Sequence, residues 1–213
     1  MKEDCDFVIV LYHGGKEHYR YPSPYLQKIF RKFIDVGADF VVAQHTHCIG
    51  CKEEYRNGTL VYGQGNFIFD SQDNEFWNTS LLISINFDKN FKHIDYIPIR
   101  KIGNTIELAT DDDSIIDGFY KRSVEIIDDN FIKSHYGMYA NSMYIEYLHR
   151  IAGGICRLLP IRIINKLTNY KLLKLTYGLD YLPAIENCLE CEAHKELFAC
   201  YLAQRRKRNA FNK

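Results

Sequence analysis

The sequence predicts an α/β fold, and three features of its first hundred residues indicate it. Two β-prone apolar runs, residues 6–12 and 40–43, predict strands that are buried on both faces. Between them, residues 25–36 carry apolar side chains at helical spacing, and Gly37 stands where a helix C-cap glycine belongs. A strand, a helix and a strand in this order favour parallel strands joined by a right-handed crossover.

Two antiparallel hairpins are predicted next. Asn57-Gly58 is a tight-turn signal between residues 53–56 and 59–62. Residues 80–87 and 92–100 flank Asp88-Lys89-Asn90 and predict the second hairpin. Polar and apolar residues alternate in its first strand, which suits a sheet with one more solvent-exposed face.

The pattern becomes helical after about residue 104. Helices are predicted over residues 114–127, 142–151, 155–167 and 184–206, the first of them beginning after a run of acidic residues. The predicted organisation is therefore an α/β part of a domain over residues 1–104, followed by a helical C-terminal extension over residues 105–213.

Composition argues against some classes of protein. The 213 residues contain 27 Lys and Arg against 27 Asp and Glu, so no charge excess indicates a nucleic-acid partner. The apolar run at residues 7–11 is too short for a signal sequence or a membrane span. Seven cysteines in a chain with an adequate core predict reduced thiols, so we expect a soluble, cytoplasmic chain by default.

Three histidines follow the predicted parallel strands. His13 comes directly after the first strand, and His45 and His47 come directly after the second. Neighbouring parallel strands end at the same edge of a sheet, where ligands bind. In an extended segment the two members of His45-Thr46-His47 would point to one side, about 6–7 Å apart. Three imidazoles can hold a zinc ion that keeps one open coordination position. The alternative is that the three histidines are ordinary polar surface residues.

Three ordered blocks resemble one protein family. Residues 7–17 end in His-Gly-Gly-Lys-Glu, residues 37–47 combine Gly-Ala-Asp, an apolar strand and His-x-His, and residues 60–70 contain Tyr-Gly-Gln-Gly-Asn-Phe. They are similar to the bacterial capsule synthesis, CapA-type (PGA_cap) family of poly-gamma-glutamate capsule biosynthesis, whose fold is that of calcineurin-like metallophosphoesterases. The resemblance covers about residues 5–100. It implies the C-terminal part of a metallophosphoesterase-like four-layer sandwich, followed by a helical extension.

The resemblance also implies a metal site. His13 matches the family's isolated histidine ligand, and His45 and His47 match its paired ligands. The implied cofactors are divalent ions, namely manganese, zinc or iron. In a phosphoesterase mechanism they would clamp phosphate oxygens, and His47 would have a catalytic role by contacting the leaving group.

Three further residues are implied to bind substrate or shape the site. Asn66 lies in the Gly-Asn-Phe block and is expected to shape the site. Glu17 is expected to orient His13 or a substrate, with a solvated loop glutamate as the alternative. Gln44 replaces the glycine or histidine often seen before the paired histidines, and this difference would alter access or a hydrogen bond to phosphate.

The family's carboxylate and asparagine ligands lie upstream of the isolated histidine, and twelve residues precede His13 here. A cropped sequence, a truncated gene product or a late start codon would each explain this. Asp70 and Asp73 follow the third block and do not substitute for those ligands. We therefore expect the chain alone to bind metal weakly and to lack turnover on an aryl phosphate.

The function that the resemblance implies is capsule or poly-gamma-glutamate biosynthesis, or hydrolysis of a phosphorylated substrate. It leaves open whether this chain is an enzyme, what its oligomeric state is, and whether a longer form associates with a membrane. The alternative is a non-catalytic module that binds an anionic polymer or a partner chain.

Two C-x-x-C pairs suggest a cysteine-based alternative. Cys48 and Cys51 form one pair, and Cys188 and Cys191 form the other. Together they would supply four thiolates for a structural zinc ion, although they are much farther apart than in ordinary zinc ribbons. Cys48 also adjoins His47, which would favour a reactive thiolate.

Overall fold

The computed structural model describes residues 5–69, 74–87, 92–152, 159–178 and 181–190. Within these ranges the chain forms seven strands and seven helices, which confirms the predicted α/β class. The chain divides into two compact units, residues 1–139 and residues 140–213, and all of the described strands lie in the first unit.

The first sheet is mixed. Its spatial order is β1 (Ile9–His13), β2 (Phe40–Gln44), β4 (Gly58–Val61) and β3 (Lys52–Tyr55). β1 and β4 both pair with β2 in parallel, and β3 pairs with β4 in an antiparallel hairpin. The predicted β-α-β unit and first hairpin are therefore confirmed. The register sets His13 opposite Gln44, so the carboxyl ends of β1 and β2 meet.

The turn of this hairpin lies one residue earlier than predicted. Tyr55 pairs with Gly58, which leaves Arg56 and Asn57 as the two-residue loop. Gly58 serves packing instead: a Cβ atom at this position would come within 2.3 Å of the Ile34 side chain. The glycine allows the helix that carries Ile34 to approach β4 closely.

β1 is not buried on both faces, as its apolar run predicted. It forms one edge of the sheet, and its side chains alternate between exposed and half-buried. Val10 and Tyr12 pack on the core, whereas Leu11 is 74% exposed and Ile9 is 45% exposed. The prediction was wrong because apolar composition does not reveal which strand of a sheet has a neighbour on only one side.

The crossover helix α1 (Pro24–Asp35) begins and ends as the sequence indicates. The Ser23 hydroxyl caps it by accepting a hydrogen bond from the Leu26 backbone N–H at 3.1 Å, and Pro24 occupies the first turn. Leu26, Phe30 and Ile34 are buried on the face that packs against the sheet. Gly37 follows with a φ of +110°, as a terminating glycine requires.

The second sheet is antiparallel. It contains, in spatial order, β5 (Thr79–Phe87), β6 (Lys92–Ile102) and β7 (Thr105–Leu108). The second predicted hairpin is confirmed, while β7 was not predicted. Leu81 of β5 belongs to the same buried cluster as Phe40, Val42 and Val61 of the first sheet. The two sheets therefore share one core, on the opposite face of the first sheet from α1.

Two helices and the first part of a third complete the first unit. Short α2 (Glu75–Asn78) precedes β5, and α3 (Asp113–Glu125) matches the helix predicted over residues 114–127. Next, α4 (Asp129–Ala152) is much longer than the predicted segment 142–151. Phe119, Ile126 and Ile132 from this region are buried in the two core clusters. The compact unit therefore runs to residue 139, while the domain boundary at residue 104 stays a prediction.

The second unit is helical wherever it is described. After the end of α4 it contains α5 (Leu159–Leu167), α6 (Lys171–Thr176) and α7 (Leu182–Glu190). Residues 155–158 and 191–206 of the predicted helices lie outside the described residues. The fully buried Asn165 joins α5 to α6, because its Oδ1 accepts a hydrogen bond from the Leu173 backbone N–H at 3.3 Å. Across the described parts of both units, no helix combines the length and apolar character needed to cross a membrane.

Candidate metal centre

The candidate site lies where β1 and β2 end. His13 is the last residue of β1, and His45 directly follows β2. Their imidazole rings lie 4.8 Å apart between centroids, and the His45 and His47 rings lie 5.8 Å apart. The sheet topology therefore gathers the three histidines at one edge, as the sequence predicted.

A carboxylate joins two of these histidines. One ligand atom from each of Glu17, His45 and His47 lies within 4.8 Å of the others. Glu17 Oε1 is 3.8 Å from His45 Nε2. His13 is outside this three-residue group, although its ring contacts His45. The group that the geometry favours thus differs from the predicted set of His13, His45 and His47 by including Glu17.

The backbone between the paired histidines is not extended, contrary to the expectation from spacing. His45 has a φ of +93° and His47 a φ of +54°, in the left-handed region that side-chain-bearing residues rarely adopt. Thr46 between them is buried, and its Oγ1 donates to the Cys48 carbonyl at 3.2 Å. Gly63 packs against this threonine so closely that a Cβ atom there would lie 2.6 Å from Thr46 Oγ1. The strained turn is held by buried packing, a pattern found at functional sites.

Asn66 determines which nitrogen of His47 is available. The Asn66 amide nitrogen donates to the backbone carbonyls of Phe76, at 3.2 Å, and His47, at 3.4 Å, so Oδ1 is the oxygen that faces His47 Nδ1 at 2.8 Å. An amide oxygen only accepts, so Nδ1 must carry the proton. The lone pair of His47 is therefore on Nε2, which is the arrangement seen in metal-binding histidines with a hydrogen-bonded second nitrogen.

His18 is a fourth histidine of this region, and the sequence reasoning missed it. Its ring lies 6.1 Å from the His47 ring, 5.6 Å from Phe76 and 5.4 Å from Trp77. Its backbone also has a positive φ, of +58°, and its N–H donates to the Thr46 carbonyl at 2.8 Å. It does not follow a strand, and its aromatic neighbours lie more than fifty positions away in the sequence, so spacing alone gave no signal.

Aromatic side chains form the wall beside His47. The Trp77 ring lies 4.8 Å from the His47 ring and is stacked on Phe69 at 5.0 Å. Trp77 is buried, whereas Phe69 is 46% exposed. Trp77 is also the single tryptophan of the sequence. Its fluorescence is therefore a direct reporter of events at His47.

The remaining predicted residues are placed as follows. Gln44, the last residue of β2, is exposed, and its backbone carbonyl accepts from the Gly14 N–H at 3.0 Å. Asp70 and Asp73 lie outside the described residues.

Of the two cysteine-based hypotheses, a four-thiolate zinc site and a reactive Cys48 thiolate, the structure argues against the second. Cys48 and Cys51 are fully buried, and burial raises the pKa of the Cys48 thiol to about 11 and raises that of Cys51 as well. Cys48 next to His47 is therefore a neutral thiol near pH 7, not the reactive thiolate that its position suggested. Cys191 and the Cys188 side chain lie outside the described residues, so the four-thiolate site stays a prediction.

The donor set fits a divalent ion. One carboxylate and two imidazoles are ligands that zinc, iron and manganese accept. Ligand atoms of a tetrahedral zinc site lie about 3.3 Å apart, so atoms within 4.8 Å of one another need side-chain movements of about 1 Å. Glu17 is exposed and His45 and His47 are half-buried, which leaves room for a non-protein ligand.

The fold and the site define an α/β protein with a histidine-rich candidate metal centre at the ends of parallel strands. Residues 1–71 match the model of the family described as bacterial capsule synthesis protein PGA_cap. A segment of 99 residues, 46% of this chain, is 30% identical to the capsule biosynthesis protein CapA of Bacillus anthracis and covers 24% of that protein. The resemblance of the three blocks is thereby confirmed, and the chain spans about a quarter of the length of this relative.

Proposed function

We propose that this chain binds one divalent metal ion through Glu17, His45 and His47, as part of metal-dependent phosphoester chemistry in capsule biosynthesis. The observation that carries the proposal is the convergence of three ligand atoms within 4.8 Å of one another. The biosynthetic setting rests on the likeness to CapA. Poly-gamma-glutamate as the capsule polymer rests on the family resemblance.

A divalent ion held by these residues would supply a Lewis acid that polarises a phosphoryl oxygen of a substrate. The protein's own contribution is orientation. His47 offers Nε2 because Asn66 accepts the Nδ1 proton, and buried Thr46 holds the turn between the two histidines. His47 Nε2 can bind either the ion or a leaving group at one time, so its predicted catalytic role requires that the ion be held by other ligands.

His13 and His18 stand beside the three ligands in this proposal. The His13 ring contacts His45, and the His18 ring lies near His47. Both imidazoles are exposed, so they are accessible to a substrate anion. We assign them to substrate contact or to a second ion, and His13 keeps the ligand role implied by the resemblance as the alternative.

The test is metal binding by the untagged chain and its variants. Metal content after purification in the presence of zinc or manganese gives the stoichiometry. A Co²⁺ titration followed through Trp77 fluorescence gives the affinity, because that ring lies 4.8 Å from His47. With the ion in excess we expect about one ion per chain for the parent protein, bound weakly because the chain lacks the family's upstream ligands. His45→Ala and His47→Ala should each lower the affinity by about 100-fold or more, beyond the loss usual for an outer-shell partner.

The matched control is His93→Ala, which removes an exposed imidazole from β6. It should leave both metal content and quenching unchanged. Equal metal content in the parent and in the His45 and His47 variants would overturn the proposal. A large loss in His13→Ala with none in Glu17→Gln would replace the Glu17 site with the three-histidine set predicted from the sequence.

A further inference from the structure

The second unit exposes an apolar surface on α5 and α6. Its aliphatic side chains are exposed to solvent, namely Ile163, Ile164, Leu167, Leu172 and Leu175. Leu167 is 81% exposed and Leu175 is 80% exposed, so these two side chains are largely surrounded by water. Single exposed aliphatic residues are ordinary on protein surfaces, but this concentration within residues 163–175 indicates a surface that contacts something apolar.

Buried contacts already determine how α5 and α6 meet. Asn165 of α5 and Leu173 of α6 are fully buried, and Asn165 Oδ1 accepts a hydrogen bond from the Leu173 backbone N–H. The Asn165 carbonyl also accepts from the Tyr170 N–H at 2.6 Å. Asn169 and Tyr170 have φ angles of +50° and +60°, and this left-handed backbone makes the turn between the two helices.

The apolar surface lies on the sides of α5 and α6 that these contacts leave free. A helix turns by about 100° per residue, so Ile163 and Leu167 lie on the opposite side of α5 from Asn165. By the same geometry, Leu175 lies on the opposite side of α6 from Leu173. Closer packing of α5 against α6 would not bury these aliphatic residues, so covering them requires a surface outside this helix pair.

Basic side chains accompany these aliphatic residues, and acidic ones do not. Residues 159–178 contain no Asp or Glu, and their four basic residues are exposed: Arg162, Lys166, Lys171 and Lys174. None of the four has an ion-pair partner within the part of the chain that the structure describes. The α5–α6 surface is therefore positively charged, although the whole chain has a formal net charge of zero.

This combination of side chains is typical of helices that lie on an anionic membrane. Such helices place aliphatic side chains at the boundary between headgroups and acyl chains, while their basic side chains meet the lipid phosphates. Lysine and arginine suit this position because their long stems reach from an apolar layer into a polar one. A second copy of this chain is a poorer occupant, because two identical surfaces would oppose like charges. A nucleic acid would meet the charges but leave the aliphatic residues in water.

We propose that the α5–α6 surface binds a bilayer that contains anionic phospholipids, and that the helices lie on the bilayer without crossing it. The aliphatic side chains enter the upper part of the acyl layer, and the four basic side chains lie at the level of the phosphates. The surface belongs to the second unit and does not depend on the metal centre. Because part of the binding is electrostatic, it weakens as salt shortens the screening length.

Flotation of the full chain with lipid vesicles tests the proposal. One set of vesicles is phosphatidylcholine alone, and the other contains phosphatidylglycerol as about one third of the lipid, which gives the surface a negative potential. The chain should float with the anionic vesicles and stay largely unbound with the neutral ones. Leu167→Gln combined with Leu175→Gln should raise the lipid concentration for half-maximal binding by about tenfold or more. Lys166→Gln combined with Lys174→Gln should raise it by a similar factor.

Matched controls remove the same kinds of side chain elsewhere. Leu189→Gln replaces an exposed leucine of α7, which is followed by the exposed Glu190. Lys121→Gln combined with Lys133→Gln removes two exposed lysines of the first unit. Neither control should change the half-maximal lipid concentration by more than about twofold, since charges away from the contact are screened. Thermal melting by circular dichroism confirms that all variants fold.

Several results would overturn the proposal. They are absence of flotation, equal binding to neutral and anionic vesicles, and equal losses in the α5–α6 variants and their controls. A loss in the lysine variant alone would also overturn it, because the aliphatic residues would then have no part in binding. Size-exclusion chromatography tests the second copy as occupant. A parent dimer that Leu167→Gln with Leu175→Gln converts into a monomer would assign this surface to self-association instead.

Discussion

The hydrogen bond between Asn66 and His47 connects two sequence blocks that are nineteen positions apart. Asn66 accepts from Nδ1 of the imidazole and donates to two backbone carbonyls, so one side chain sets both the ring orientation and the protonated nitrogen. Outer partners of this kind raise the basicity of the ligand nitrogen and reduce the freedom that metal binding would otherwise remove. If Asn66 shapes the site, as expected from the sequence, it does so by orienting the His47 ring and fixing its protonated nitrogen.

Replacement of Asn66 tests this role. Asn66→Ala should lower the affinity for Zn²⁺ or Co²⁺ by about 10- to 100-fold, because His47 loses the acceptor that fixes its tautomer. Asn66→Asp should lose less, since a carboxylate oxygen still accepts the Nδ1 proton. Both affinities are measured by quenching of Trp77 fluorescence, with far-UV circular dichroism as the folding control. Equal losses in the two variants would instead assign the importance of Asn66 to its donated bonds, and thus to the shape of the loop.

The site also shows what single residues do not reveal in a sequence. His45 and His47 were recognisable from their position after a strand, but their left-handed backbone was not, because it depends on the packing of Thr46 against Gly63. His18 was invisible for a similar reason, since its aromatic neighbours come from α2. Local spacing predicts which residues reach an edge of the sheet, whereas tertiary contacts decide how they face one another.

At the scale of secondary-structure elements, β1 is where composition and environment disagree. Its apolar run is typical of a strand covered on both sides, yet Leu11 is 74% exposed and the strand lies at the edge of its sheet. An exposed apolar edge can pair with another chain. Neighbouring Val10, which points to the face carrying α1, provides an internal comparison.

Two lysine replacements on β1 measure this difference. Leu11→Lys should change the free energy of unfolding by less than about 0.5 kcal/mol, because the side chain enters solvent. Val10→Lys should cost at least about 2 kcal/mol, because it places an ammonium group against the core. Urea unfolding of both variants gives the comparison. A large loss in Leu11→Lys would show that this face of β1 is covered in solution, and size-exclusion chromatography would then reveal whether a second copy covers it.

On the scale of the whole molecule, the segment from the end of β7 to residue 139 is part of the first unit and not merely attached to it. Tyr19 stacks on Tyr139 with ring centroids 4.4 Å apart and hydrogen-bonds His135 at 2.8 Å. Tyr21 donates to Glu125 at 2.6 Å, and burial, assisted by this bond, raises the pKa of its hydroxyl. These contacts hold the stretch that carries Glu17 and His18 against α3 and α4. The candidate metal centre thus depends on helices outside the three family-like blocks.

The sequence predicted the order of the elements in the first unit well, because strand and helix periodicities are local. It did not predict β7, the length of α4 or the extent of the compact unit. Those features depend on where Phe119, Ile126 and Ile132 are buried, and each of these lies in a core cluster assembled from distant strands. A pattern that turns helical at residue 104 indicates a change of secondary structure, which is not the same as the end of a core.

Two shortened chains, ending at Ala152 and at residue 104, test where the cooperatively folded unit ends. A chain that ends at Ala152, the last residue of α4, should fold cooperatively and keep the metal affinity of the full chain, because both core clusters and every candidate ligand lie before that residue. A chain that ends at residue 104 should not fold, since it lacks Phe119, Ile126 and Ile132. Buried side chains of this size contribute about 2–5 kcal/mol each, against a total stability of about 5–15 kcal/mol. Thermal melting by circular dichroism and Co²⁺ quenching of Trp77 provide the two readouts. Cooperative melting of the shorter chain would show instead that residues 1–104 fold without α3 and α4, and that these two helices only cover a core that is already formed.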